Sequence, residues 1–303
     1  MVEVSVVANP LRPQAAAAVE ALRRRAGALT LPRPRITWTT SAEHCHTAAR
    51  EAVALGAGVV VACGGDGTIR QVAAAVADTH VELGILPVGR GNVLAHNVGL
   101  ARLPKPALVD IALAGRSARL GVARTRLVDR TGAEREEVFL TLAGLGNDAM
   151  AIASMRAAGG WHEYFLAGFR RLRGPELEFV LGYDGDAAER IRAWSVFVGN
   201  QPQVPPGIEL FPGAGGSRGH LVVASVQPRS VAGWARVALD RVRRAPTNSR
   251  YGYRDASSVV VCPAAPVTVH LDGDVLPGIT RLSAVGGRSF LGLRCLGPGM
   301  PLG

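Results

Sequence analysis

The chain has 303 residues, 48% hydrophobic and 19% charged, which is enough apolar material for a sizeable core and two domains and excludes a largely disordered chain. Its net charge is +10 with Lys105 as the sole lysine, so arginine carries nearly all the positive charge. With no other lysine there is no GxxxxGK phosphate loop, and the lysine and HRD loop of protein kinases are missing as well.

In chain order, Val2–Ala8 reads as a buried strand and Pro13–Arg25 as a helix with proline in its first turn and an alanine-rich body. Ile36–Thr39 is a short strand, and Ser41 is placed to cap a helix that runs to about Ala54. Val59–Ala62 lacks polar alternation, as expected of a strand covered on both faces, and runs into Gly64-Gly65-Asp66-Gly67-Thr68. A helix follows through Ala77, then the strand Leu83–Leu86, a second glycine loop at Gly89-Arg90-Gly91-Asn92 with a helix behind it, and one more helix at Pro106–Ala114. Such alternation predicts a doubly wound, mostly parallel sheet over residues 1–116. From about Ser117 strand signals dominate: Val138–Ala143, Leu177–Tyr183, Trp194–Val198, His220–Val226, Val259–Cys262 and Val267–Leu271. Helical stretches near Asp148–Arg156, Tyr164–Arg173 and Val231–Arg244 interrupt them. The expectation is a mainly antiparallel β domain over 117–285 and a Gly- and Pro-rich tail over 286–303 that the pattern does not place.

The two glycine loops carry the chemistry. Glycine lets the backbone approach a ligand closely, and the free amides and dipole at a helix start favour a phosphate. Asp66 would repel phosphate directly, so its expected role is to hold Mg²⁺ against the phosphate oxygens. Thr68 is suited either to cap the helix or to donate to a phosphate. Loops at the ends of successive parallel strands gather on one side of such a sheet, so both can line one cleft. Four cysteines (Cys45, Cys63, Cys262, Cys295) form no CxxC pair, which suits a reducing cytoplasm. His44-Cys45-His46 reads as ordinary helix sequence, because neighbours on a helix point about 100° apart.

Gly64–Ile69 together with Gly84-Ile85-Leu86-Pro87-Val88-Gly89-Arg90-Gly91-Asn92 resembles the catalytic domain of diacylglycerol kinases, which sphingosine and ceramide kinases share and to which NAD kinases are distantly related. Asn9-Pro10, Thr39-Thr40, Gly144–Ala149 and Asp272-Gly273-Asp274 extend the likeness over roughly residues 2–276. The resemblance implies ATP bound between an α/β domain and a β-rich domain, with Mg²⁺, and γ-phosphate transfer to a lipid hydroxyl such as that of diacylglycerol. It places Asn9, Thr39, Gly64, Gly65, Asp66, Gly67, Thr68, Arg90, Gly91 and Asn92 at the nucleotide. Asp66 and Asp274 take the catalytic roles: Asp66 organises the cation, and Asp274 stands where the family carries the glutamate of a DGE triplet as general base. Without that context, Asp272-Gly273-Asp274 reads equally well as a turn between strands.

The sequence departs from the pattern at several acidic positions. Val93 replaces an aspartate, Arg90 a threonine, and Arg119 and Arg218 align with further acidic positions. Each arginine adds positive charge where a cation would sit, so a second expectation is a homologue that binds nucleotide or lipid with impaired turnover. A third is a kinase of a soluble substrate such as NAD. The segment 234–244 reads as a surface helix, or in a sharper version as a basic contact with an anionic membrane; Trp161, Tyr164, Phe165 and Phe169 read as core, or as an acyl pocket. No apolar run reaches the roughly 20 residues of a bilayer span. The expected partners are a nucleotide and a lipid at a membrane surface, from a cytoplasmic or peripheral inner-face location, with room for a homodimer. Aromatic content of 5% and no recognised motif argue against nucleic acid.

Overall fold

The computed structural model describes residues 2–158, 174–204, 208–215, 220–227 and 251–296. The expected helices at Tyr164–Arg173 and Val231–Arg244, the four aromatic residues of the proposed acyl pocket and Arg218 lie outside the described residues.

The chain divides into two units, one comprising Met1–Val122 and the residues from Ser289 on, the other Ala123–Val204 and Ile208–Arg288. The first begins with β1 (Val4–Ala8), α1 (Ala15–Ala28), β2 (Arg35–Trp38), α2 (Ala42–Ala54), β3 (Val59–Gly64) and α3 (Asp66–Val76). It continues with β4 (Glu82–Pro87), α4 (Val93–Asn97), α5 (Lys105–Ala114) and the opening of β5 (Arg116–Asp129). β1 runs parallel to β2 and β3, and β3 parallel to β4. All six residues of β3 are buried, which accounts for its unbroken apolar sequence. The helices pair as α2 with α3 and α1 with α5, so the sheet is doubly wound. The Ser41 hydroxyl accepts the His44 amide at 3.1 Å, closing the first turn of α2 as an N-cap.

The second unit holds the rest of β5, then β6 (Glu134–Phe139), β7 (Leu142–Gly146), α6 (Asn147–Ala158), β8 (Leu177–Tyr183), β9 (Glu189–Ala193) and β10 (Ser195–Gly199). After these come the short pair β11 (Gln203–Val204) and β12 (Ile208–Glu209), then β13 (Leu221–Val226), β14 (Tyr251–Ala256), β15 (Ser258–Pro263), β16 (Val267–Leu271) and, as far as Arg288, β17 (Asp274–Cys295). Its strands pair antiparallel in the order β14-β13-β10-β7-β16-β17, with β15 on β17 and β8. One core gathers Phe139, Phe179, Val198 and Leu282; a second centres on Phe211, fully buried beside Gly199, where a Cβ would overlap the phenyl ring.

Two expectations are corrected. The stretch Val138–Ala143 is two strands, because the chain breaks at Leu140–Thr141, where backbone amides turn to the Asp272 carboxylate. The tail does not begin at 286: β17 runs on to Cys295, and Gly292 and Leu293 pair parallel with Glu82 and Leu83 of β4. That end is fastened by Asp78, which accepts the Ser289 hydroxyl at 2.6 Å and the Phe290 amide at 2.9 Å.

Candidate functional site

The carboxyl ends of β3 and β4 present the two glycine loops. The Val88 amide donates to the Gly64 carbonyl at 2.9 Å, carrying the sheet pairing into the loops. Gly65 is the N-cap of α3, and the first-turn amides of that helix have no intrahelical acceptor. Both loops depend on missing side chains. A Cβ on Gly64 would overlap Thr68, one on Gly89 would come to 2.5 Å from Gly65 Cα, and one on Gly91 to 2.8 Å from an Asp66 carboxylate oxygen. The two loop backbones therefore face each other closely enough that a methyl group cannot be added at Gly89 without displacing Gly65.

Asp66 does more than the sequence suggests. Its Oδ2 accepts the Asn92 amide at 2.8 Å and its Oδ1 the Val93 amide at 2.6 Å. It thereby caps α4, whose N-cap residue Asn92 sits in the left-handed region at φ 48°. Asn92 in turn closes its own loop, its Oδ1 accepting the Gly89 amide and its Nδ2 donating to the Gly89 carbonyl, both at 3.0 Å. The first loop thus fixes the second through one carboxylate. Val93, where the family pattern carries an aspartate, contributes its amide to that clamp.

The other predicted nucleotide residues are placed as follows. Asn9 uses Oδ1 to accept the Leu11 amide at 2.9 Å, tightening the turn after β1. Thr39 is 3% exposed; its hydroxyl donates to the Ala8 carbonyl and accepts from the Cys45 thiol, bracing the ends of β1 and β2. Thr68 is buried against Gly64, Gly67 is half-buried, and Arg90 is exposed with no hydrogen bond or ion pair among the described residues. The Arg119 guanidinium lies 3.5 Å over the centroid of the Phe290 ring.

Sequence reasoning missed Arg12. It follows the Asn9 turn, its amide donating to the Asn9 carbonyl at 3.2 Å, and its guanidinium reaches the mouth of the glycine loop. Measured from where a Gly65 Cβ would stand, one terminal nitrogen is 3.5 Å away and Nε 3.8 Å. Nε is buried without a hydrogen-bond partner. Its nearness to Gly65, 53 positions along the chain, leaves no mark in local sequence.

The Asp272-Gly273-Asp274 segment is a two-residue hairpin turn. Asp272 and Gly273 have φ of 48° and 87°, and Leu271 pairs with Asp274 across it. Asp272 is buried and accepts the amides of Leu140, Thr141 and Leu142 and the Thr141 hydroxyl, at 2.7, 2.8, 3.1 and 2.5 Å. Asp274, the candidate base, is half-buried at the start of β17. Behind the turn, the Gly273 amide donates to His270 Nδ1 at 3.2 Å, which leaves the ring proton on Nε2, 2.8 Å from Asp148 Oδ2. Gly144 makes space for that pair, since a Cβ there would overlap the imidazole. This link between two motifs 122 positions apart was also invisible in the sequence.

The residues fit a polyphosphate: loops with no room for a Cβ at Gly64, Gly89 or Gly91, a helix start beside them and a guanidinium nitrogen of Arg12 without a hydrogen-bond partner. They do not build a metal cage, because no cluster of three or more His, Cys, Asp or Glu side chains occurs among the described residues. A cation in such a site is held by one or two carboxylates and by the phosphates themselves, and Asp66 is the carboxylate of this loop.

Fold and site define an α/β unit with two glycine loops at its strand ends and a β-rich companion in one chain. Comparison with known proteins agrees. The diacylglycerol kinase catalytic domain model matches residues 4–125. Diacylglycerol kinase of Mycobacterium tuberculosis (strain ATCC 25618 / H37Rv) is 30% identical over 253 residues, covering 77% of this chain and 76% of that protein. Diacylglycerol kinase of Bacillus subtilis (strain 168) is 29% identical over 254 residues, covering 79% and 80%. A crystal structure of a diacylglycerol kinase from Bacillus anthracis str. Sterne superposes with a TM-score of 0.68 at 17% identity, covering 98% of this chain and 97% of that one. The chain belongs to the diacylglycerol kinase family. Membership makes it a lipid kinase by descent and implies use of ATP. No helix among the described residues is long and apolar enough to cross a membrane.

Proposed function

We propose that this protein transfers the γ-phosphate of ATP to the hydroxyl of diacylglycerol or a closely related lipid. The observation that carries the reading is the pair of interlocked glycine loops, which approach so closely that a Cβ at Gly89 would come to 2.5 Å from Gly65 Cα. Phosphoryl transfer asks a protein chiefly for positioning and charge neutralisation, and a rigid amide cradle supplies both. Gly65, Gly67, Thr68, Gly91 and Asn92 would line the phosphates, with Asn9 and Thr39 shaping the rim. Mg²⁺ bound with the nucleotide would neutralise phosphate charge, and Asp66 would face it while keeping the second loop in place.

Asp274 is the residue proposed to accept the lipid hydroxyl proton. Asp272 is excluded from that role, because four donors already occupy its carboxylate. The lipid would be met at a membrane surface. The experiment is phosphate transfer from labelled ATP to a panel of lipid alcohols in mixed micelles, comparing the wild type with Asp274→Asn. We expect transfer to diacylglycerol by the wild type and a loss of at least about a hundredfold in kcat with unchanged ATP affinity in the variant, the usual scale of general-base removal. Equal transfer by both proteins removes Asp274 from the mechanism. ATP binding without transfer to any lipid would favour the impaired homologue, and transfer to NAD alone the soluble-substrate reading.

A further inference from the structure

We infer that Arg12 is a ligand for the terminal phosphates of the nucleotide, adding charge neutralisation to the two glycine loops. The inference rests on the reading of the glycine loops as a nucleotide site and goes beyond it in naming the side chain that sets preference for a triphosphate.

Three segments meet at one point: the turn after β1 carrying Arg12, Gly65 at the head of α3, and Gly89 after β4. The Gly89 backbone lies close enough to Gly65 that a Cβ would be 2.5 Å from its Cα, and Arg12 approaches the same Gly65. Arg12 differs from the exposed Arg90 in one decisive respect: its Nε is withdrawn from solvent and has no acceptor. A buried N–H without an acceptor carries the full desolvation penalty of the group, and folded proteins rarely leave one so. The neighbouring Asp66 carboxylate accepts the amides of Asn92 and Val93, and Arg12 Nε remains without a hydrogen-bond partner. The Arg12 backbone is fixed on both sides, its amide on the Asn9 carbonyl and its carbonyl receiving the Ala15 amide at 2.9 Å. A guanidinium held by a fixed backbone beside a cradle of amides matches a phosphate oxygen pair, which it can grip bidentately.

The alternative is that the stem of Arg12 merely covers the loops. The two differ in what Arg12→Met should do, since methionine keeps an apolar stem and removes the charge and the buried donor. Isothermal titration with MgATP and with AMP, for wild type, Arg12→Met and Arg12→Lys, together with melting of each apo protein, decides between them. We expect Arg12→Met to weaken MgATP about tenfold or more, AMP less than about twofold, and Arg12→Lys to recover part of the loss, on the scale of a charge-assisted hydrogen bond. The apo melting temperature of Arg12→Met should equal or exceed that of the wild type, because an unsatisfied donor has been removed. Unchanged MgATP affinity, or equal weakening of MgATP and AMP, overturns the assignment, and so does a lowered melting temperature with unaltered affinity. A wild type that binds no MgATP overturns the nucleotide reading of the loops itself, an outcome distinct from these.

Discussion

At the scale of single residues, carboxylates that look alike in the sequence do different work. Asp66 and Asp272 are each followed by glycine, and each turns its carboxylate onto backbone amides of a segment distant in the chain. Asp272 is the stronger case, because it is buried and accepts four donors. Removing it strands three amides and a hydroxyl in the interior, at roughly 1–3 kcal/mol each before relaxation and water entry reduce the sum. Asp272→Ala should therefore lower stability by about 3 kcal/mol or more, read as a shift of the urea midpoint, while Asp274→Asn should shift it by less than about 1 kcal/mol. Equal midpoints for Asp272→Ala and the wild type would show that the turn does not depend on this clamp.

At the scale of elements, Gly89 is the position where sequence, packing and function meet. Alanine there must force its loop away from Gly65, whereas alanine at Gly65 meets Gly89 at 3.4 Å and Arg12 at 3.5 Å, contacts that ordinary adjustment absorbs. Gly89→Ala should cost about 1–3 kcal/mol, as overpacking usually does, and abolish measurable MgATP binding, while Gly65→Ala should retain most of its stability. Calorimetric titration alongside thermal melts checks both, and the reverse ranking would reject the picture of two opposed backbones. The same loops show why part of the structure was legible in advance. Local devices were readable: the buried run of β3, the Ser41 cap and the glycines at strand ends all act within a few residues. Elements set by distant partners were not. The break between β6 and β7 is imposed by a carboxylate 130 positions away. β17 was hidden by its own Pro277, Gly278, Gly286 and Gly287, which read as loop; Gly278 and Gly287 take φ of 75° and 69° and bend a strand that continues to Cys295. In β5, arginines at 119, 124 and 126 masked the strand pattern. The site followed the same rule. The glycine loops were found by motif, whereas Arg12 and the His270–Asp148 pair exist only through folding.

At the scale of the whole molecule, the scarcity of lysine makes the alkaline range unusually simple. Arginine stays protonated there, so a chain with one lysine, four cysteines and four tyrosines has few groups that titrate between about pH 9 and 11. Cys63 stands out among them. It lies fully buried in β3, immediately before Gly64, and burial pushes its thiol from 9.0 up to about 12. A raised value means that the fold favours the protonated form. Below pH 9 the thiol is protonated in folded and unfolded chains alike, and its contribution is complete. Between pH 9 and about 12 the unfolded chain releases the proton while the native chain keeps it, so stability falls as pH rises, by at most about 1.4 kcal/mol per pH unit from this group. Tyr183 adds a loss of the same sign at higher pH, since burial raises its phenol as well. Cys63→Ala separates the two contributions: the variant keeps Tyr183 and loses the thiol. Its stability deficit relative to the wild type, measured by urea unfolding at pH 8, 9.5 and 10.5, should shrink as pH increases. A deficit that stays constant across those three values would mean that the thiol ionises alike in both states. The strand leading into the first glycine loop would then owe nothing to a protonated Cys63.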